Sequence, residues 1–149
     1  MRVTLTETPF EPGALLTAFC ADRSETGAVA SFTGLVRGEQ GGADSLELEA
    51  YPRFTEAAIS EIVEAAIARF ALQDALVVHR IGRMAPGEAV VFVAAAAAHR
   101  RAAFEACDQI MDYLKSRAPF WKKQHGPGGP RWIEPTPADL ADAARWDKA

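Results

Sequence analysis

The sequence contains few of the residues that build metal centres and disulfides. Its 149 residues include two cysteines, Cys20 and Cys107, without CxxC spacing, and three widely spaced histidines. It has no HExxH, GxGxxG, GxxxxGKS/T or GxSxG motif, which are typical of zinc proteases, nucleotide-binding proteins and serine hydrolases. We therefore expect no metal ion and no cofactor. We expect Cys107, which lies in an apolar helical pattern, to be a reduced core thiol.

Long hydrophobic runs are also missing. The longest weakly polar run covers only the ten residues 89–98, which is too short to span a bilayer. The first residues, Met-Arg-Val-Thr-Leu-Thr-Glu, lack the apolar region of a secretory signal. We expect a cytoplasmic protein that does not contact the membrane.

Positive charge is scarce overall but concentrated in one region. The net charge is −4, which argues against general nucleic-acid binding. Residues 99–131 nevertheless contain seven Lys or Arg against three Asp or Glu, a local charge of +4. Because clustered cations repel one another, their concentration predicts an anionic ligand.

Hydrophobic periodicity predicts short strands along most of the chain and two long helices. The second long helix runs from Arg100 to Arg117 and ends before Pro119, which disfavours helical geometry at Ala118. The other predicted helices are 12–21, one beginning near Thr55 as N-cap, and about 137–146. The predicted strands are 3–5, 27–36, 46–51, 75–81, 89–97, 120–124 and 131–134, and residues 38–44 and 125–130 are interpreted as mobile loops.

Residues 75–97 form a predicted hairpin around the Pro-Gly turn at residues 86–87. Hairpins and alternating strands favour an antiparallel or mixed sheet. We therefore predict one α+β domain over residues 1–149, with two long helices.

Lys115 and Lys122 flank the predicted helix end and admit two interpretations. Lys115 in the last turn of a helix is favoured by the helix dipole, and Lys122 could belong to a solvated fringe beside packed aromatics. Alternatively, the two amines line an anion pocket, where burial and neighbouring cations would make one of them a nucleophile or an acid–base group. In extended geometry Phe120 and Lys122 share one face, and Trp121 takes the other.

Further cationic residues lie at the ends of predicted strands and helices. His99, Arg100 and Arg101 mark a strand-to-helix junction, where charges in water or an anion site are both possible. Arg37 closes a strand beside the glycine-rich loop. His79 is interpreted as a surface or sheet-face residue, and His125 as an unspecific loop residue.

Several runs together resemble the catalytic (large) subunit of molybdopterin synthase. They are SFTGLVR (31–37), HRIG (79–82), PGE (86–88), AHRRAAFEACDQIMDYLKSRAPFWKK (98–123) and RWIE (131–134). They occur in the family's order over residues 27–134. The block at 98–123 is long enough to be highly specific.

The resemblance implies a hammerhead-type α+β fold and a homodimer that forms a heterotetramer with two copies of a small ubiquitin-like sulfur-carrier subunit. The carrier's C-terminal Gly-Gly tail bears a thiocarboxylate. The implied reaction inserts two sulfurs into cyclic pyranopterin monophosphate as a dithiolene, a step of molybdenum cofactor biosynthesis. The implied catalytic residues are Lys115 and Lys122, and the implied substrate contacts are Leu35, Val36, Arg37, His99, Arg100, Lys123 and Gln124.

The sequence departs from this family at the rim of the expected pocket. Pro135 and Thr136 follow Glu134 where some relatives carry a further Arg, so that any such role passes to Arg131 or is missing. Gln124 replaces an expected acid. A non-catalytic module that binds a phosphorylated ligand or RNA through the same cations, with Trp121 and Phe120 as stacking platforms, is the alternative function. A scaffold that only holds a partner is a third.

Overall fold

The chain folds into helices and strands that alternate along the sequence. The computed structural model describes residues 1–38 and 44–148. Within those ranges the helices are α1 (Pro12–Cys20), α2 (Pro52–Phe70), α3 (Arg100–Ser116) and α4 (Pro137–Ala144), followed by a 3-10 turn at Arg145–Asp147. The strands are β1 (Arg2–Thr6), β2 (Ala28–Leu35), β3 (Ser45–Ala50), β4 (Asp74–Arg80), β5 (Gly82–Met84), β6 (Ala89–Ala97), β7 (Phe120–Gly126) and β8 (Gly129–Ile133). Residues 39–43 of the predicted glycine-rich loop lie outside the described residues.

The strands form two four-stranded sheets, in the orders β1-β4-β6-β2 and β5-β3-β7-β8. Only the β1–β4 pair is parallel among the described pairings. The α+β prediction is therefore confirmed, although the strands divide between two sheets. The predicted hairpin is confirmed as the β4–β6 pair, but its connection contains β5, which joins the other sheet through Leu46 and Leu48 of β3. Gly82, with φ of +85°, adopts the left-handed conformation where the chain leaves the first sheet.

The first sheet is covered on both faces. Helices α2 and α3 pack on one face, where Val77, Val93 and Ile110 are buried, and α1 packs on the other against Val78 and Phe92. Burial on both faces explains the nearly continuous apolar runs of β4 and β6. Cys107 lies in this core, and burial raises the pKa of its thiol to about 12. The predicted core thiol is confirmed.

Helix α2 begins one turn earlier than predicted. Tyr51 is its N-cap and Pro52 its first residue, a position where proline is well tolerated because its missing N–H would have no helical partner. The prediction of Thr55 as N-cap is therefore wrong. Thr55 is fully buried, and its hydroxyl donates a 2.9 Å hydrogen bond to the carbonyl of Pro119.

The Gly/Pro segment at 125–130 is a tight hairpin rather than the predicted loop. Strand β7 continues to Gly126, and β8 begins at Gly129, where φ is +90°. The left-handed conformation of Gly129 permits the short connection through Pro127 and Gly128. No helix within the described ranges is long and apolar enough to cross a membrane.

Candidate active site

A cavity of about 640 Å³ lies where α3 ends, between the second sheet and the start of α4. Its size is that of a small-molecule site. Apolar side chains such as Met111, Leu114 and Phe120 form part of its wall. Polar and charged groups from α3, β4, the end of β2, β7, β8 and the segment after β8 also line it.

Both sequence-predicted lysines line this cavity. Lys115 projects from the last turn of α3, and Lys122 from β7. Because the chain turns at Ala118 and Pro119, the strand returns beside the helix end, and the two amines reach one space from different elements. Alternation along β7 directs Phe120, Lys122 and Gln124 to the cavity.

Trp121 and Lys123 take the opposite face of β7, as alternation requires. Trp121 is 43% exposed and meets Tyr51 edge-on, with ring centroids 5.2 Å apart. The Lys123 ammonium lies 3.9 Å from a carboxylate oxygen of Glu49 and 4.5 Å from the ring centroid of Trp132. Neither residue lines the cavity, so Trp121 cannot stack on a ligand held there.

Five further predicted residues also line the cavity. Leu35, Val36 and Arg37 reach it from the end of β2, and Gln124 and Arg131 from β7 and β8. The backbone at Val36 is fixed by the β5–β6 turn, since Val36 donates to Glu88 at 2.9 Å and accepts from Gly87 at 2.8 Å. Across the hairpin, Arg131 donates a 3.1 Å hydrogen bond to the Gln124 side chain.

His99 and Arg100 are not brought to the cavity of their own chain. Both are exposed at the start of α3, where His99 is the N-cap. With a rise of 1.5 Å per residue, the Cα atoms of Arg100 and Lys115 are about 22 Å apart along the helix. A side chain at one end therefore cannot meet a small ligand bound at the other.

His79 is a cavity residue that the sequence interpretation missed. It is only 8% exposed, so the surface interpretation is wrong. Its ring stacks on Phe120 with centroids 4.2 Å apart and planes 24° apart. Burial, with a contribution from the charge of Lys115, lowers its pKa from 6.5 to about 4, so the imidazole is neutral. The apolar sequence of β4 could have indicated this burial, because a strand that is covered on both faces has buried side chains on both faces, including that of the histidine.

The segment after β8 adds a carboxylate that the sequence analysis did not single out. Asp139 and Thr136 form a capping box at the start of α4: the Asp139 amide donates to the Thr136 hydroxyl at 3.1 Å, and the Thr136 amide donates to the Asp139 carboxylate at 2.8 Å. The amide of Thr136, helped by the charges of Lys115 and Lys122, lowers the pKa of Asp139. The Thr-Pro-Ala-Asp spacing was the signal for this box.

Among the residues that the structure describes, the charged side chains lining the cavity are mostly positive. Lys115, Lys122, Arg37 and Arg131 line it against Glu134 and Asp139, and His79 is neutral. Within residues 1–38 and 44–148, no group of three or more His, Cys, Asp or Glu is placed to hold a metal ion. The arrangement suits an enzyme that holds an anionic substrate and supplies amines to it.

Comparison with known proteins identifies the family. The model of the MoaE protein family matches residues 5–117. A molybdopterin synthase catalytic subunit from Caulobacter vibrioides is 72% identical over 148 residues, 99% of each chain. A MoaE protein structure from Burkholderia ambifaria superimposes with a TM-score of 0.84 at 39% identity, covering 99% of this chain and 98% of that one. The structure of molybdopterin synthase from Staphylococcus aureus has a TM-score of 0.78 at 27% identity, with 87% and 94% covered.

The chain therefore belongs to the MoaE family. The chain is a sulfurtransferase of molybdenum cofactor biosynthesis. The family resemblance read from the sequence is confirmed. It extends further toward the N-terminus than the predicted start at residue 27, since the family match begins at residue 5.

Proposed function

We propose that this chain is the catalytic subunit of a molybdopterin synthase and that its reaction takes place in the cavity between α3 and β7. A small ubiquitin-like partner would deliver sulfur as the thiocarboxylate of its C-terminal Gly-Gly tail. The acceptor would be cyclic pyranopterin monophosphate, and the product the dithiolene of molybdopterin. Family membership supports the reaction class, and the shared cavity of Lys115 and Lys122 is the observation that carries the choice of site.

The proposed chemistry requires groups that attract anions and can donate protons. The thiocarboxylate sulfur would attack an electrophilic carbon of the pterin and form a C–S bond, while an oxygen leaves that carbon. Hydrolysis of the acyl–sulfur bond by water would then release the partner as a carboxylate and leave a thiolate on the pterin. A second thiocarboxylate would supply the other sulfur of the dithiolene in the same way. An ammonium group near this carbon can position the sulfur anion or protonate the leaving oxygen. We assign these two roles to Lys115 and Lys122 together.

The substrate phosphate needs a separate set of donors. We assign it to Arg37 and Arg131, because guanidinium groups match phosphate geometry and both line the cavity. Gln124 would fix the orientation of Arg131 through their hydrogen bond. Leu35 and Val36 would contribute backbone and apolar wall.

A substrate-binding role of His99 and Arg100 depends on the assembly of several chains. We propose a homodimer within a heterotetramer that carries two copies of the sulfur-carrier partner. Since α3 separates these residues from their own cavity by about 22 Å, a role in substrate binding requires that they reach the cavity of a second copy. Lys123, on the outer face of β7, would also contact substrate only through such an arrangement.

The state of the cysteines bears on the cell compartment. We propose a cytoplasmic location, consistent with two free thiols in the chain.

An RNA-binding module would need Trp121 and Phe120 on one stacking surface, but they occupy opposite faces of β7. The phosphate-ligand module and the scaffold both predict that no single lysine matters.

The reaction itself provides the test. The pure chain is mixed with thiocarboxylated small subunit and the pterin monophosphate precursor, and dithiolene product is assayed. A matched reaction contains the same partner with an ordinary C-terminal carboxylate. We expect product only with the thiocarboxylate. No product, from a partner that is active with a catalytic subunit of a relative, would refute the proposed function.

A further inference from the structure

The His79 imidazole is a neutral acceptor facing a cavity that is otherwise rich in donors. Its ring is held on one side by Phe120, at a centroid distance of 4.2 Å. Its Nδ1 lies 2.8 Å from the backbone oxygen of Arg80. A carbonyl oxygen can only accept, so Nδ1 must carry the hydrogen.

The tautomer fixes the chemistry of the other ring nitrogen. In a neutral imidazole with Nδ1 protonated, Nε2 bears a lone pair and can only accept a hydrogen bond. Burial and the nearby charge of Lys115 oppose a second proton. Near neutral pH, Nε2 therefore remains an acceptor.

Nε2 has no donor within the part of the chain that the structure describes. No described residue forms a hydrogen bond with it. Among the described residues, the one buried side-chain nitrogen or oxygen that lacks both a partner and contact with solvent is Nε of Arg80. Nε2 of His79 is therefore not fully sealed from solvent, although the residue is only 8% exposed, and the residue lines the cavity. Because its orientation is fixed, Nε2 can accept a hydrogen bond from a ligand that carries an N–H or O–H group.

We propose that His79 is a substrate-binding residue whose Nε2 accepts a hydrogen bond from an N–H of the pterin heterocycle. This inference rests on the proposed function and adds a specificity element to it. The ionised oxygens of the substrate's phosphate ester accept hydrogen bonds, so they pair with the cations and not with Nε2. The two kinds of group therefore orient the substrate, with its phosphate toward the arginines and a donor edge of its ring toward His79.

Direct binding of the precursor tests this without any sulfur transfer. His79→Phe keeps a planar ring against Phe120 but removes the acceptor, whereas His79→Gln can place an amide oxygen near the position of Nε2. Losing one hydrogen bond should weaken precursor binding about 3- to 10-fold in His79→Phe, and His79→Gln should recover most of it. His125→Gln is the matched control, because His125 pairs with Glu47 at 2.8 Å and does not line the cavity. Wild-type affinity in His79→Phe, or equal loss in the Phe and Gln variants, would overturn the inference.

A nitrogen NMR titration of the whole chain, labelled at histidine, separates the possible donors. We expect Nε2 of His79 to resonate as an unprotonated nitrogen at pH 7 and to shift upfield when the precursor binds. Inorganic sulfate, an anion without an O–H at pH 7, and a peptide with the partner's Gly-Gly terminus should leave it unchanged. A shift with the peptide but not the precursor would overturn the inference. Precursor binding without a shift would overturn this inference alone, whereas a wild-type chain that does not bind precursor would refute the proposed function as well.

Discussion

The hydroxyl of Thr55 donates a 2.9 Å hydrogen bond to the carbonyl oxygen of Pro119. Pro119 lies in the turn between Lys115 on α3 and Lys122 on β7, and Thr55 is fully buried in the first turns of α2. The bond ties a third element to the turn that sets the spacing of the two amines. The position of the lysine pair therefore depends on a residue that does not line the cavity.

Thr55→Val should weaken both the fold and the reaction. The substitution keeps the shape of the side chain but leaves the Pro119 carbonyl without its donor, which should lower the free energy of unfolding by about 1–2 kcal/mol in urea titrations. A shift of the turn should also slow sulfur transfer about 10-fold, because catalysis is sensitive to misplacement of about 1 Å. Thr33→Val on the exposed side of β2 is the control and should change stability by less than about 0.5 kcal/mol. Equal effects of the two substitutions would contradict this role for Thr55.

Stability should fall as the pH drops below the ordinary range of histidine. The folded chain holds His79 with a pKa of about 4, against 6.5 in the unfolded chain. Unfolding therefore takes up a proton between these values, and the stabilisation present above pH 6.5 is lost as the pH falls toward 4. At pH 5 the loss from this group should be about 2 kcal/mol relative to pH 7.5.

Urea unfolding of wild type and His79→Phe at pH 7.5, 6 and 5 checks this value. The difference in unfolding free energy between the two proteins should change across the series, because the variant lacks the titrating ring. A pH-independent difference between wild type and His79→Phe would mean that His79 titrates normally.

Mixed dimers should reveal whether His99 acts on the cavity of a second copy. Lys115→Ala and His99→Ala homodimers should both be inactive. In a dimer with one chain of each kind, one cavity receives both intact residues, so about half of the wild-type activity per dimer should return if the residues act across the interface. If both residues served the cavity of one chain, the mixed dimer would stay inactive.

Much of the site follows from local signals in the sequence. The proline after Ala118 ends α3, and alternation along β7 separates Lys122 from Trp121 and Lys123, so the convergence of Lys115 and Lys122 could be anticipated from backbone geometry. Their chemical roles came from the family resemblance, since the spacing alone also fits a solvated fringe. The division of the strands into two sheets was not visible, because β5 has only three residues and its pairing with β3 is a long-range contact.

The errors share a physical origin in tertiary burial. Thr55 resembles an N-cap locally, but its hydroxyl serves the Pro119 carbonyl while the helix starts at Pro52. His79 resembles a half-exposed strand residue, but β4 is a central strand covered on both faces.

Single-turnover sulfur transfer by the Lys115→Ala and Lys122→Ala variants measures whether these two amines act in the reaction. Each variant, loaded with thiocarboxylated partner and precursor, should form dithiolene at least about 100-fold more slowly than wild type. Partner affinity and thermal stability should be retained, and Lys148→Ala, exposed near the C-terminus, should behave as wild type. Near wild-type rates in both cavity variants would show that neither amine is needed for sulfur transfer.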